Sequence, residues 1–292
     1  MHSRRTLIKN IAFGASAVLA APAVSFATCN YETENRKLKG NINHAVCRWP
    51  YNYLTLDELC KAVKEIGFNA IDLLKPKDWP VLQAHGVYCS MCYTEGENDL
   101  TKGLNDPSLH AKLIKEYLDV IPVMAKYKYT NLICFSGNRN GMDDETGMKN
   151  CIVALKQILP LAEKNGVILM MELLNSKIDH KDYMCDKSAW GIELCKKIDS
   201  PNFKLLYDIY HMQIDEGDII RTIKENYKYF GHYHTGGVPG RNEINDTQEL
   251  FYPAVMRAIK ETGFKDYVAQ EFQPTRKNKL DSLREAIKIC DV

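Results

Sequence analysis

Along most of the chain, short apolar runs alternate with longer stretches in which apolar residues recur every three or four positions. The first pattern reads as strands buried on both faces, the second as amphipathic helices. Strands are expected over 41–46, 70–74, 87–93, 131–135, 167–172, 203–208, 230–234 and 267–270. Between them helices are expected from Thr55 onward and over 78–84, 107–127, 144–165, 187–198, 216–226, 252–262 and 279–290. Thr55 and Glu58 form a capping box, and Gly67 supplies a stop. The long polar loop 94–106 is a candidate functional or mobile segment.

Four of the apolar runs end in a side chain able to bind a metal. Val167 to Met171 is followed by Glu172, and Lys204 to Tyr207 by Asp208; Phe230 to Tyr233 leads to His234, and Tyr267 to Gln270 to Glu271. These ends are 36, 26 and 37 residues apart, about one strand–helix unit each. Side chains at successive strand ends meet at the C-terminal mouth of a parallel barrel. The expected fold is therefore a single-domain α/β (β/α)₈ TIM barrel over 41–292. A doubly wound sheet would call for a glycine-rich turn after the first strand, where the chain reads Cys47-Arg48-Trp49-Pro50-Tyr51. The turn Ser136-Gly137-Asn138-Arg139-Asn140-Gly141 lacks the Lys-Ser/Thr of a phosphate-binding loop.

At 292 residues and 45% hydrophobic, the chain is the size of one such barrel. The first 27 residues carry Arg4, Arg5 and Lys9 and no acid, which leaves the remainder at −2 from a total of +1. That balance argues against a nucleic-acid surface and favours a small-molecule substrate. Ser3-Arg4-Arg5-Thr6-Leu7-Ile8-Lys9, an apolar segment and Ser25-Phe26-Ala27 match a twin-arginine export signal over 1–27. A polar lead-in would follow over 28–40. The expectation is a cleaved, periplasmic protein with no stable membrane insertion; a lipid anchor at Cys29 is the less favoured alternative. Most of the ten cysteines lie in apolar runs and read as buried thiols. Cys89 and Cys92 fall in one expected strand, three residues apart, and are expected on opposite faces.

Glu172, Asp208, His234 and Glu271 are the expected metal ligands, an oxygen and nitrogen set suited to Mn²⁺, Mg²⁺ or Co²⁺, with Zn²⁺ also admitted. A divalent ion chelated by a carbonyl and its adjacent hydroxyl acidifies the neighbouring C–H. Glu172 and Glu271, facing each other across the mouth, are the expected acid/base pair. Proton delivery to the adjacent carbon gives isomerisation, and return to the same carbon from the other face gives epimerisation. A hydride shift is a third route. His211, Arg241, Arg48, Trp49 and Asn175 are the expected substrate contacts. His232 is expected to point away from His234 and is left out of the metal shell.

These residues resemble the xylose isomerase-like barrels, and within them the hydroxypyruvate isomerase family. The motifs that carry the resemblance are Asn43-His44-Ala45-Val46-Cys47-Arg48-Trp49, Met171-Glu172-Leu173-Leu174-Asn175, Tyr207-Asp208-Ile209-Tyr210-His211-Met212-Gln213, His232-Tyr233-His234 with Pro239-Gly240-Arg241-Asn242-Glu243, and Gln270-Glu271-Phe272. The resemblance implies a catalytic pair at Glu172 and Glu271, Asp208 as a metal ligand and an enediolate intermediate. In hydroxypyruvate isomerases the strand 7 ligand is typically glutamine; His234 at that place resembles keto-sugar 3-epimerases. A keto-sugar 3-epimerase, a keto-glycoside lyase or hydrolase, and a non-catalytic sugar-binding barrel are the alternatives. Only eight scattered histidines and a body at −2 set the chain apart from the DNA-repair endonucleases of the same superfamily. A homo-oligomer is left open.

Overall fold

The computed structural model describes residues 37–97 and 99–292, of which Leu38–Val292 form one compact unit. The expected export signal, its cleavage site, most of the lead-in and Cys29 lie outside the described residues. Eight parallel strands close into a barrel in sequence order. They are β1 (Asn43–Cys47), β2 (Ala70–Leu74), β3 (Tyr88–Cys92), β4 (Asn131–Cys134), β5 (Ile168–Glu172), β6 (Phe203–Asp208), β7 (Phe230–Thr235) and β8 (Tyr267–Gln270). The barrel is closed by β1 on β8, with Val46 opposite Gln270.

Nine α-helices lie between and after the strands among the described residues: α1 (Leu56–Ile66), α2 (Trp79–His85), α3 (His110–Tyr127), α4 (Asp144–Asn165), α5 (Ser188–Ile198), α6 (Ile209–Asp215), α7 (Ile219–Asn226), α8 (Tyr252–Glu261) and α9 (Lys279–Cys290). None of the described helices is long and apolar enough to cross a membrane. The Thr55–Glu58 capping box is present at α1, and Gly67 ends that helix in the left-handed conformation. A cap of this kind contributes about 1 kcal/mol. The helix expected over 216–226 is α7, and an unexpected helix, α6, precedes it: α6 begins directly after β6, where Ile209, Tyr210 and Met212 extend the apolar run of the strand.

Two expectations about strand faces are corrected. Cys89 and Cys92 are not held apart: their sulfurs lie 3.5 Å from each other as buried free thiols. The register between β2 and β3 shifts on both sides of Asp72, and such irregularities break the simple alternation of faces. His232 does not point away from His234. Residues two apart share a face of a strand, and the two rings lie 5.4 Å apart inside the barrel.

Candidate functional site

Register brings the ligand-type side chains together. Asp208 at the end of β6 is directly opposite His234 of β7, and Glu271 follows β8, its N–H bonded to Thr235 O at 3.1 Å. Glu172 ends the neighbouring β5. The ligand atoms of Glu172, Asp208, His234 and Glu271 all lie within 4.8 Å of one another, and all four residues are buried. His234 Nδ1 is at the centre, 2.9 Å from Glu271 Oε2, 3.2 Å from Glu172 Oε1 and 3.9 Å from Asp208 Oδ2.

Asp208 has two tasks. Its Oδ1 caps α6 by accepting from His211 N at 3.1 Å, while its Oδ2 has no hydrogen-bond partner. His234 Nδ1 likewise lacks a hydrogen bond of acceptable geometry. Buried polar atoms without partners are rare and costly. Two such atoms converging among three carboxylates fit a divalent cation with oxygen and nitrogen ligands. The electrostatics agree. Burial, with the Glu271 charge adding to it, pushes the Asp208 carboxyl well above the usual carboxylate range. Burial also disfavours the Glu271 carboxylate, but Arg241 and then His234 outweigh it and hold its pKa well below the usual range.

The surrounding residues orient this cluster. Arg241 Nη2 donates to Glu271 Oε2 at 2.5 Å and lies 3.5 Å from Asp208 Oδ2. Its guanidinium carbon is 5.3 Å from the ring centroids of both Trp49 and Tyr210. Trp49 Nε1 donates to the other Glu271 oxygen at 2.9 Å. Asn175 Nδ2 donates to His211 Nδ1 at 2.6 Å, which leaves the N–H of that imidazole on Nε2. His211 Nε2 is fully buried, unpartnered and 3.7 Å from Asp208 Oδ2. Burial, reinforced by the Arg241 charge, lowers the His211 pKa well below its usual value.

The loop that carries Arg241 is held by backbone and side-chain bonds. Gly237 pairs with Asn242, and a Cβ on Gly237 would lie 2.3 Å from Glu243 O, so glycine is required there. The Glu243 carboxylate accepts from Thr275 N at 2.6 Å and from Ser282 Oγ at 2.8 Å, which ties the loop to the segment after β8 and to α9.

Of the expected substrate contacts, Trp49, Arg241, His211 and Asn175 belong to this assembly. Arg48 does not: its guanidinium donates to Tyr51 O at 2.6 Å and Leu54 O at 2.8 Å and braces the turn after β1. Three residues at or beside the site were not singled out from sequence. Asp72 accepts from His234 Nε2 at 3.0 Å and is fully buried. The signal for it is one acid in an otherwise apolar strand, Ala70-Ile71-Asp72-Leu73-Leu74. Cys47 Sγ lies 3.8 Å from His234 Nε2. His180 lines a cavity of about 210 Å³ over the cluster, together with Glu172, Glu271 and Arg241 on the polar side and Trp49, Tyr93 and Phe135 on the aromatic side.

The barrel and its mouthful of buried acids define the class. Residues 60–291 match the family model of the xylose isomerase-like TIM barrel, and the chain belongs to that family. Within it, the chain is 28% identical over 120 residues to a human protein named "Putative hydroxypyruvate isomerase" and 32% identical over 113 residues to a 2-oxo-tetronate isomerase of Cupriavidus necator. It is 27% identical over 134 residues to a D-psicose 3-epimerase of Ruminiclostridium cellulolyticum. These alignments cover 41%, 39% and 44% of this chain and 43% of each relative, so the chain matches under half the length of these three. A solved structure titled AP endonuclease, family 2, from Brucella melitensis shares the fold. Its TM-score is 0.74 at 21% identity, over 82% of this chain and 96% of that one.

Proposed function

We propose that this chain moves a proton next to the carbonyl of a small, neutral hydroxy-carbonyl compound, as an isomerase or epimerase, with a divalent ion held by Glu172, Asp208, His234 and Glu271. The names of the relatives, isomerases and a 3-epimerase, support the class. The observation that carries the mechanism is the pair of carboxylates on one imidazole: Glu172 and Glu271 approach His234 Nδ1 at 3.2 and 2.9 Å from strands three apart in the barrel. A bound Mn²⁺, Mg²⁺, Co²⁺ or Zn²⁺ would supply Lewis acidity, polarising the carbonyl and acidifying the adjacent C–H.

The residues of the chain do the rest. Glu271, kept ionised by Arg241 and fixed by the Trp49 N–H, is ready to accept a proton from carbon. Glu172, approaching from the other side, delivers or removes one at the opposite face. His211 Nε2–H is aimed inward as a donor to a substrate oxygen. Isomerisation results when the proton goes to the neighbouring carbon, epimerisation when it returns to the same one.

The cavity favours a neutral keto-sugar over a 2-oxo acid. Among the described residues that line it, Arg241 is the one permanent cation, and its guanidinium is committed to Glu271 and Asp208. A carboxylate next to the reacting carbonyl would find no uncommitted side-chain cation, so the metal ion alone would have to meet it. Trp49, Tyr93 and Phe135 give the C–H face of a sugar an apolar wall.

The test is solvent exchange. The protein with Mn²⁺ is incubated in D₂O with ketopentoses, ketohexoses, 3-keto-glycosides and hydroxypyruvate, and deuterium is followed by NMR. Metal-dependent deuterium next to one carbonyl is the expected result. Metal bound without exchange in any compound would leave a hydride shift or a sugar-binding barrel. Export through the twin-arginine route is proposed from the N-terminal pattern alone. Recovery of the full chain from the cytosol of its native cell would overturn it.

A further inference from the structure

Behind the four strand-end ligands the barrel interior is polar. Asp72 is fully buried in the middle of β2. Its Oδ2 accepts from His232 Nε2 at 2.7 Å and from His234 Nε2 at 3.0 Å, and its Oδ1 accepts from Ser90 Oγ. A carboxylate at this depth costs several kcal/mol in desolvation, and packing would be served as well by the apolar residues that make up the rest of β2. Next to it Leu73 has a φ of 62°, in the left-handed region that disfavours a branched side chain. Strain of this kind persists where the surroundings over-determine it, and it concentrates at functional sites.

The three donors on Asp72 have one shared effect. A neutral imidazole carries its proton on one nitrogen and a lone pair on the other. With Nε2–H given to Asp72, the lone pair of His234 is on Nδ1, the atom that faces Glu172, Asp208 and Glu271. We propose that Asp72 is a positioning residue of the metal centre: it fixes His234 in the Nε2–H tautomer and the ring plane in which Nδ1 serves as ligand. Ser90 and His232 in turn hold the Asp72 carboxylate in place. The arrangement has the carboxylate–histidine–metal form by which outer residues tune a ligand.

The inference rests on the metal-centre reading above. It is tested by calorimetric titration of the purified chain with Mn²⁺, in four forms: wild type, Asp72→Asn, His234→Ala and the double variant. Asp72→Asn is expected to weaken Mn²⁺ binding about 10- to 100-fold. In the His234→Ala background the same change is expected to cost less than about twofold, because its effect passes through the imidazole. Equal losses in the two backgrounds, or no loss in the first, would overturn the proposal, since a merely structural acid would act regardless of His234. Should Asp72→Asn fail to fold by circular dichroism, Ser90→Ala takes its place in the same cycle, with a severalfold loss expected only where His234 is present. Wild-type protein that binds no Mn²⁺ removes the metal reading and this inference together; wild-type binding with unchanged Asp72→Asn affinity removes this inference alone.

Discussion

Arg241 Nη2 lies 2.5 Å from Glu271 Oε2, and the pair is nearly closed off from solvent. The guanidinium keeps that carboxylate ionised inside the protein, and the ionised form is the one that can act as a base. Glu271→Gln keeps the size and, with its amide oxygen turned to Arg241 and the metal position, one ligand oxygen, but gives up the acceptor for Trp49 and the basic group. The rate of substrate deuteration is expected to fall about 10²- to 10⁴-fold, with the fold and most of the Mn²⁺ retained. A wild-type exchange rate in this variant would end the acid/base assignment.

Asp208 separates its capping oxygen from the oxygen that would face the proposed metal. Asn at this position retains an oxygen to cap α6 and places an amide nitrogen where the unpartnered Oδ2 was. Asp208→Asn is therefore expected to unfold within about 0.5 kcal/mol of wild type in the metal-free state, since Asn and Asp cap equally well. Asp208→Ala should lose about 1 kcal/mol more. Both should show sharply reduced Mn²⁺ content by elemental analysis. Equal stability of the two variants in urea would show that the cap is not the structural role.

Trp49→Phe leaves an aromatic ring beneath Arg241 and deletes only the N–H that holds Glu271 Oε1 at 2.9 Å. A hydrogen bond to a charged group contributes about 1.5–3 kcal/mol. The expected outcome is a roughly 10- to 100-fold lower kcat/KM in a properly folded protein. An unchanged kcat/KM would mean that Arg241 alone positions the carboxylate.

His44, on β1, sits far from the ligands in function. It is 4% exposed, neither ring nitrogen has a hydrogen-bond partner, and its ring meets Phe68 edge-on at 6.1 Å. Burial lowers its pKa from 6.5 to about 4, against a smaller opposing pull from Asp291. The folded chain thus resists a proton that the unfolded chain accepts. Stability from this group is complete above pH 6.5 and declines as the pH falls toward 4, by up to roughly 3 kcal/mol. His44→Leu should flatten the decline in metal-free protein, read as the difference in urea-unfolding free energy between pH 7 and pH 4.5. An identical decline in both proteins would place the acid sensitivity elsewhere.

The parts of this architecture that were legible in sequence are those that are local in the chain. Each apolar run that stops at Glu172, Asp208, His234 or Glu271 shows both the strand and its functional end, and the repeat of the pattern implies the barrel. Asp72 shows only as one acid inside an apolar run; its role is not legible there, because its partners His232 and His234 are 160 and 162 residues away and meet it only across the closed barrel. His232 shares a face with His234, as strand alternation requires of residues two apart. Arg48 sits at the mouth, where sequence placed it, but a guanidinium can turn, and here it turns to the carbonyls of Tyr51 and Leu54.

Trp49 follows the first strand and Glu271 follows the last, and the two side chains meet across the seam where β1 pairs with β8. During synthesis the tryptophan emerges early and the glutamate more than two hundred residues later. Glu172, Asp208 and His234 are therefore made before the fourth proposed ligand exists, and a nascent chain would offer a cation only an incomplete set. An ion held as proposed by all four would favour the closed ring of strands over open forms by mass action. Metal capture in this protein would thus act as a latch on the final step of folding, joining the two ends of the barrel that the chain itself connects only through its whole length.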